Sequence, residues 1–380
     1  MGRKGLYVHI PFCARKCRYC DFVSHTPVAG EIDEYLDNIE TEFRLNCIKK
    51  EEIDTIFIGG GTPTILNEKQ LERLLNIISR NVDVKNVLEY TVEANPGTLN
   101  EEKLSILMSG GVNRLSIGLQ AIQKKHLEFM GRIHDLEDFE DSYFKARNAG
   151  FKNINIDLIF AYDGLTIEEW KETIDYAVKI NPEHISAYSL IIEEGTPFYN
   201  LFEEGNLKDI DDELYVEMYR YTVGRLEDNS YYQYEISNFA KEKKRCIHNI
   251  KYWKGEEYYG IGLGASGYLN GERYTNVDNM DKYRNALKTN KLPVKFKEKL
   301  NEIDIYNEKI MLGLRMNSGV EYSLIENINS GESKKFIKKT IDKYLEKGYI
   351  EFRKSENKKI MKLTQHGREI SNTIILELML

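Results

Sequence analysis

His9-Ile10-Pro11-Phe12-Cys13-Ala14-Arg15-Lys16-Cys17-Arg18-Tyr19-Cys20-Asp21-Phe22 gathers three of the chain's five cysteines within eight residues, spaced C-x3-C-x2-C. Thiolates are soft ligands suited to iron–sulfur clusters. A four-iron cubane normally takes four thiolates, so three from one tight loop leave one iron open to a small chelating molecule. Two other readings stand beside this one. Buried structural cysteines are common, although three so close together are unusual. Zinc wants a closed set of four ligands, and no fourth Cys or His lies nearby at zinc spacing, since His9 and His25 flank the loop at poor separations.

Working outward from this loop, six short apolar runs recur: Leu6–Ile10, Thr55–Ile58, Glu89–Glu93, Arg114–Leu119, Asn153–Phe160 and His184–Ile191. Several are β-branched and nearly continuous, as strands buried on both faces should be. Between them lie helical stripes such as Ile32, Tyr35, Leu36, Ile39 and Phe43, or Leu71, Leu74, Leu75 and Ile78. Strands alternating with helices predict an α/β chain with a parallel sheet. Six such units before about residue 200 fit a partial (β/α)6 barrel, and a doubly wound open sheet fits the same pattern. Polar residues recur at one end of the units: Gly59-Gly60-Gly61-Thr62-Pro63 after the second strand, Glu93 closing the third, Gln120 the fourth, and Asp157 within the fifth. In barrels the C-terminal strand ends carry the chemistry, so one ligand could touch all of them.

The remainder reads differently. A helix is expected at about 211–227, then an aromatic strand-like run, Tyr231–Phe239. Two helical patterns, Ile305–Met316 and Ser333–Lys347, precede Gly348-Tyr349-Ile350-Glu351-Phe352, with Lys359–Leu363 placed to pair back as a hairpin. The expected division is a barrel domain at 1–235, a connecting region at 236–300, and a smaller C-terminal α+β domain at 301–380 with a winged-helix-like end.

Composition bounds the class. The chain has 380 residues, 41% hydrophobic and 30% charged, with formal net charge −8. That length suggests two or three domains. No run of about 18 apolar residues predicts a transmembrane helix. The N-terminus carries no secretory h-region, and Gly2 lacks the context of a myristoylation signal. Few cysteines and no signal predict a reducing cytoplasm. The acidic balance argues against nucleic-acid binding. The clustered Lys334, Lys335, Lys338, Lys339, Lys343 and Lys347, with Asp342 and Glu346 interleaved, read first as a solvated helix face.

The cysteine loop is the signature of the radical S-adenosylmethionine (radical SAM) superfamily. Tyr-x-His-Ile-Pro-Phe-Cys, Gly-Gly-Gly-Thr-Pro-Thr, Glu-Ala-Asn-Pro, Ser-Ile-Gly-Leu-Gln and Asn-Ile-Asp-Leu-Ile together resemble the oxygen-independent coproporphyrinogen III oxidase family over nearly the whole chain. The resemblance implies a [4Fe–4S] cluster on Cys13, Cys17 and Cys20, with S-adenosylmethionine chelated at the open iron. It implies Tyr7 and Tyr19 flanking that cofactor, Gly60, Gly61 and Thr62 lining it, and Glu93, Gln120, Arg132 and Asp157 contacting its polar groups. For each of these the plain alternative is an N-cap or a structural hydrogen bond, and for the triple glycine a strand-to-helix turn.

Two departures separate this chain from the coproporphyrinogen-oxidising members. They carry a further cysteine two residues after the third, where this chain has Phe22, and a long N-terminal extension, where six residues precede Tyr7. A third feature, His248-Asn249-Ile250-Lys251-Tyr252-Trp253, resembles the H-N-x-x-Y-W segment of the HemW-type haem chaperone branch. Histidine is a good axial ligand for haem iron, and Tyr252 and Trp253 could cover a porphyrin face. The alternative is a satisfied polar core histidine with aromatics packing a domain junction. Cys246, two residues earlier, is a lesser candidate ligand. The resemblance then implies a haem chaperone delivering haem to an acceptor such as a respiratory enzyme, with membrane association only through that acceptor. An electron donor for the cluster and a homodimer are further expected partners. The rival is a radical SAM coproporphyrinogen III dehydrogenase of porphyrin biosynthesis.

Overall fold

The computed structural model describes residues 3–380; Gly2 lies outside the described residues. Six strands form at the six apolar runs: β1 (Lys4–Ile10), β2 (Ile53–Gly60), β3 (Glu89–Ala94), β4 (Arg114–Gln120), β5 (Ile154–Phe160) and β6 (His184–Ser189). They are buried along most of their length, β4 at every residue. Helices Glu31–Asn46, Glu68–Asn81, Leu136–Ala149 and Ile167–Ile180 carry the expected stripes inward. Three of these begin in capping boxes, Asn67/Gln70, Asp135/Asp138 and Thr166/Glu169, in which side chain and backbone satisfy each other's free donors.

Strand order separates the two architectures left open above. The six strands pair in parallel in simple sequence order, β1-β2-β3-β4-β5-β6. A doubly wound sheet reverses its order at a switch point; this one does not. Side chains of β1 and β6 nevertheless line one cavity. In a flat sheet those strands would stand about 24 Å apart, five spacings of roughly 4.8 Å. The sheet is therefore curled into a partial barrel.

The sheet continues beyond the six strands on both sides. The aromatic run forms two short strands, β7 (Tyr232–Gln233) and β8 (Asn238–Ala240), and β8 pairs antiparallel with β6. On the other side, within the expected connecting region, stand four strands: β9 (Tyr258–Ile261), β10 (Ser266–Leu269), β11 (Glu272–Asn276) and β12 (Val294–Lys299). β9 pairs in parallel with β1, and the rest follow antiparallel to make a twelve-stranded sheet. Glu42, Tyr35 and Tyr283 fasten this addition. Glu42 accepts hydrogen bonds from Gly262 N (2.9 Å), Asn276 Nδ2 (2.6 Å) and the Tyr283 hydroxyl (2.5 Å). Burial lifts this carboxyl to about 7.

A second core is built from Tyr306, Ile310, Ile341, Tyr344, Met361 and Ile374 among others. Its helices Glu302–Gly313 and Gly331–Glu346 precede the hairpin of β14 (Ile350–Ser355) and β15 (Lys358–Leu363), as the pattern predicts. A third strand, β13 (Val320–Glu321), pairs with β15. No helix among the described residues is long and apolar enough to cross a membrane.

Candidate functional site

The cysteine loop leaves the C-terminal end of β1 and is held by backbone. Cys13 N donates to His25 O (2.9 Å), His25 N to Pro11 O (2.8 Å), and Arg18 N to Met130 O (3.0 Å). From β2, Gly61 N reaches Ile10 O and Thr62 N reaches Phe12 O, each at 2.8 Å. A Cβ on Gly61 would fall 2.6 Å from Phe12 O and 3.0 Å from Cys13 Sγ, so only glycine lets the two segments lie this close. Gly60 sits at φ +110°, against the His9 ring.

The three thiols are free and differ in exposure: Cys13 is buried, Cys17 and Cys20 half-buried. Cys13 Sγ lies 3.5 Å from Thr62 Oγ1. Burial pushes the Cys20 thiol up to about 11 and raises Cys13 also. Arg132 is half-buried beside them. Its Nη1 is 3.6 Å from Cys17 Sγ, and its Nη2 is 2.8 Å from both Asn95 Oδ1 and Gly118 O. Among the described residues no three His, Cys, Asp or Glu side chains converge as one ion requires. A group engaging all three thiols must itself span the loop. Three soft donors, a glycine cradle and a half-buried guanidinium fit a multi-iron cluster better than zinc.

The remaining predicted residues divide between two cavities. The larger, about 210 Å³, lies inside the curled sheet and is lined by Tyr7, Gly60, Glu93, Asp157, Asn249 and Tyr252 together with Phe22, Phe57, Arg114, Ser116, Asn155, Ser186 and Tyr188. The smaller, about 30 Å³, lies beside the cysteine loop and takes Cys17, Thr62 and Arg132 with Asn95. Gly61, Tyr19 and Gln120 line neither. Gln120 ends β4 at φ +68°, an uncommon backbone for a non-glycine residue and a mark of constraint at a site. Tyr19 is half-buried beside Arg132, and the loss of solvent around it raises its phenol.

The two carboxylates face each other electrostatically. Glu93 Oε2 accepts from Gly60 N at 3.0 Å, and burial, with the nearby Asp157 charge, lifts its carboxyl to about 8. Asp157 accepts from Ser116 Oγ and Asn155 Nδ2, both at 2.9 Å, and burial raises it as well. A protonated acid and a hydrogen-bonded carboxylate can meet both hydroxyl and amine groups of a guest.

The H-N-x-x-Y-W segment is a helix, Ile247–Lys254, set at the opposite, N-terminal end of the strands. Glu89, the first residue of β3, accepts from Ile247 N (2.8 Å) and His248 N (2.9 Å), a carboxylate on a helix N-terminus. Cys246 Sγ donates to the same carboxylate at 3.3 Å, far from the cysteine loop. His248 is fully buried, and both ring nitrogens are engaged: Nδ1 with Thr55 Oγ1 (2.9 Å) and Nε2 with the Tyr252 hydroxyl (2.7 Å). Burial drops its pKa to about 3. In this arrangement it is the satisfied core histidine. Trp253 turns away from the cavity to the Arg315 guanidinium, 5.7 Å from its ring centroid.

Sequence reasoning missed Asn95, Arg114, Ser116 and Asn155. The signal was present: each falls in or beside a quoted segment, at the alternate strand positions that share a face with Glu93, Gln120 or Asp157.

Comparison with known proteins follows the same division. Residues 7–177 match the radical SAM superfamily model and residues 300–370 the HemN C-terminal domain model. The chain is 41% identical over 321 residues to the heme chaperone HemW of Bacillus subtilis, covering 83% of this chain and 84% of that one. It is also 41% identical over 321 residues to the heme chaperone HemW of Lactococcus lactis, covering 84% of each. Among solved structures, coproporphyrinogen III oxidase (HemN) from Escherichia coli, a radical SAM enzyme, superposes with TM-score 0.82 at 21% identity, covering 99% of this chain and 90% of that one. At that identity the likeness concerns the fold.

Proposed function

This chain belongs to the HemW family of heme chaperones within the radical SAM superfamily, and we propose that it binds haem and passes it to an acceptor haem protein. The observation that carries the reading is the 41% identity to proteins named heme chaperones, over more than four-fifths of the chain. The relatives' names favour this over coproporphyrinogen oxidation, as does Phe22 at the place of the further cysteine.

Cys13, Cys17 and Cys20 would hold a [4Fe–4S] cluster, with adenosylmethionine beside it. When bound, these supply one-electron chemistry at a sulfonium. The chain's own residues orient and enclose. Arg132 sets a positive charge against Cys17. Gly60 and Gly61 allow close backbone approach. Glu93 carries its proton at neutral pH and can donate a hydrogen bond, while Asp157 is fixed by Ser116 and Asn155. For Nε2 of His248 to reach haem iron, the Tyr252 hydroxyl must release it. The acceptor in this reading is a respiratory or other haem protein, the cluster takes its electron from a reducing partner in the cytoplasm, and a second copy can share the cargo.

Anaerobic reconstitution with iron and sulfide, followed by haem titration and a 5′-deoxyadenosine assay on one sample, tests the reading. Stoichiometric haem uptake without decarboxylated porphyrinogen is expected. Turnover of coproporphyrinogen without haem uptake would overturn it.

A further inference from the structure

The outer face of the cysteine loop is basic on an acidic molecule. Between Cys13 and Gly30 stand three cations, Arg15, Lys16 and Arg18, against one acid, Asp21, while the chain as a whole bears −8. All three cations are exposed. Lys16 Nζ donates to Phe22 O (2.9 Å) and Arg18 Nη1 to Phe129 O (3.5 Å), both backbone carbonyls. Among the described residues none of the three forms an ion pair, so their charge faces solvent. Arg18 has a local role, since it lies over the C-terminus of the helix Lys124–Met130, where a cation is favourable. Arg15 and Lys16 have none.

Each of these two cations has an exposed apolar neighbour and a cysteine close by. Ile133 is 63% exposed and lines, with Arg15, the small cavity beside Cys17. Phe22 is 57% exposed, and its carbonyl holds Lys16. Burial raises the Cys20 thiol, and the Lys16 ammonium pulls it back. Cys17 and Cys20 are the half-buried thiols of the loop, and Cys13 is the buried one. The patch thus combines apolar contact with charge at the point where the thiols come nearest to solvent. It is small, as electron-transfer encounters are, which bury less than about 1,200 Å².

We propose that Arg15, Lys16, Phe22 and Ile133 form the docking surface for an acidic one-electron carrier protein that reduces the cluster. The proposal rests on the cluster placed above on Cys13, Cys17 and Cys20. Electron transfer weakens steeply with distance, so a protein donor must seat itself against this loop. The carrier gives up one electron and the cluster gains it; no bond forms or breaks. Charge selects both the partner and its orientation. Two acidic proteins repel over most of their surfaces and attract only where a basic patch meets an acidic one, which steers the encounter to the loop and speeds it.

The test uses the full-length reconstituted chain, with flavodoxin as the acidic carrier and photoreduced 5-deazariboflavin as an uncharged reductant. Wild type is compared with Arg15→Glu/Lys16→Glu and with Lys335→Glu/Lys338→Glu, which makes the same change of net charge on exposed positions of the helix Gly331–Glu346. Affinity for oxidised flavodoxin is read by calorimetry, and reduction by flavodoxin hydroquinone by stopped-flow absorbance across a salt series. The loop variant is expected to bind flavodoxin and accept its electron at least about tenfold more weakly at low salt. That difference should shrink toward 0.15 M salt, where the screening length is about 8 Å. Reduction by deazariboflavin should be equal in all three, and the distant variant should stay within about twofold of wild type. If the loop variant loses iron, Arg15→Gln/Lys16→Gln replaces it, with about a threefold effect expected. Equal flavodoxin affinities and rates in wild type and loop variants, or an equal loss in the distant variant, would overturn the proposal. So would loss of binding to anionic phosphatidylglycerol vesicles with flavodoxin unaffected, which would give the surface to a membrane. A chain holding neither iron nor sulfide after reconstitution defeats the cluster reading itself. A loaded chain that deazariboflavin reduces and flavodoxin does not defeats the docking surface alone.

Discussion

Arg132 Nη1 lies 3.6 Å from Cys17 Sγ, while the same guanidinium is pinned at 2.8 Å to Gly118 O at the far side of the site. A fixed positive charge beside a thiolate favours the more reduced, more negative state of whatever that thiolate holds. Arg132→Gln is therefore expected to make the cluster harder to reduce. The shift should be on the order of 50–100 mV downward, equivalent to about 1–2 kcal/mol for one electron. A redox titration followed by electron paramagnetic resonance measures it; an unchanged midpoint with full iron content would count against the pairing.

Gly61 makes a sharper steric case. An added methyl would sit 2.6 Å from Phe12 O and 3.0 Å from Cys13 Sγ, and backbone cannot step aside cheaply. Gly61→Ala should fold yet retain well under half of the wild-type iron and sulfide after reconstitution. Gly224, within the helix Asp212–Glu227, has open space around its Cα. Gly224→Ala should bind iron normally and gain roughly 0.5–1 kcal/mol in urea unfolding. Equal iron content in the two variants would refute the cradle.

The strands and their helices were legible because buried parallel strands are nearly continuous apolar runs, and helices carry one stripe each. β11 and β12 gave no such signal. Glu272–Asn276 has one buried residue, and Val294–Lys299 has none and three lysines, the composition of a protected sheet edge. Their membership in the sheet depends on distant partners, Tyr35, Glu42 and Tyr283, which no local pattern names. At the site, Glu93 and Asp157 were visible as charged residues at strand ends. Arg114 was passed over because it begins a strand, where a charge ordinarily meets water. Curling of the sheet buries it, and curvature is not written in any single strand. The H-N-x-x-Y-W segment was visible as chemistry but not as a helix closing the barrel.

The bond between His248 and Tyr252 can be cut without touching the histidine. Tyr252→Phe removes the 2.7 Å partner of Nε2. It should cost about 0.5–1.5 kcal/mol of stability. If Nε2 then serves haem iron, the variant takes up haem at least as tightly as wild type, with a stronger histidine-ligated spectrum. His248→Gln should lose that spectrum. Identical haem spectra in wild type and both variants would place the iron ligand elsewhere and leave His248 a purely structural residue.

Glu93 ties the cavity to pH. In the folded chain its carboxyl titrates at about 8 against an ordinary value of 4.5, chiefly through burial. Between those values the folded state holds one proton more than the unfolded state. Stability from this group is therefore fully present below about pH 4.5, falls as pH rises toward 8, and then levels off. The slope is about 1.4 kcal/mol per pH unit. Glu42 and Glu235, both raised to about 7, add slopes of the same sign, so the absolute profile does not isolate Glu93. The comparison with Glu93→Gln does, because the variant keeps the other two acids and cannot ionise at this position. Urea unfolding at pH 5, 6, 7 and 8 without added ligand should show the variant gaining on wild type by a few kcal/mol across the range. Parallel profiles would mean that Glu93 is already ionised in the folded chain, and that the hydrogen bond it offers a guest is accepted rather than donated.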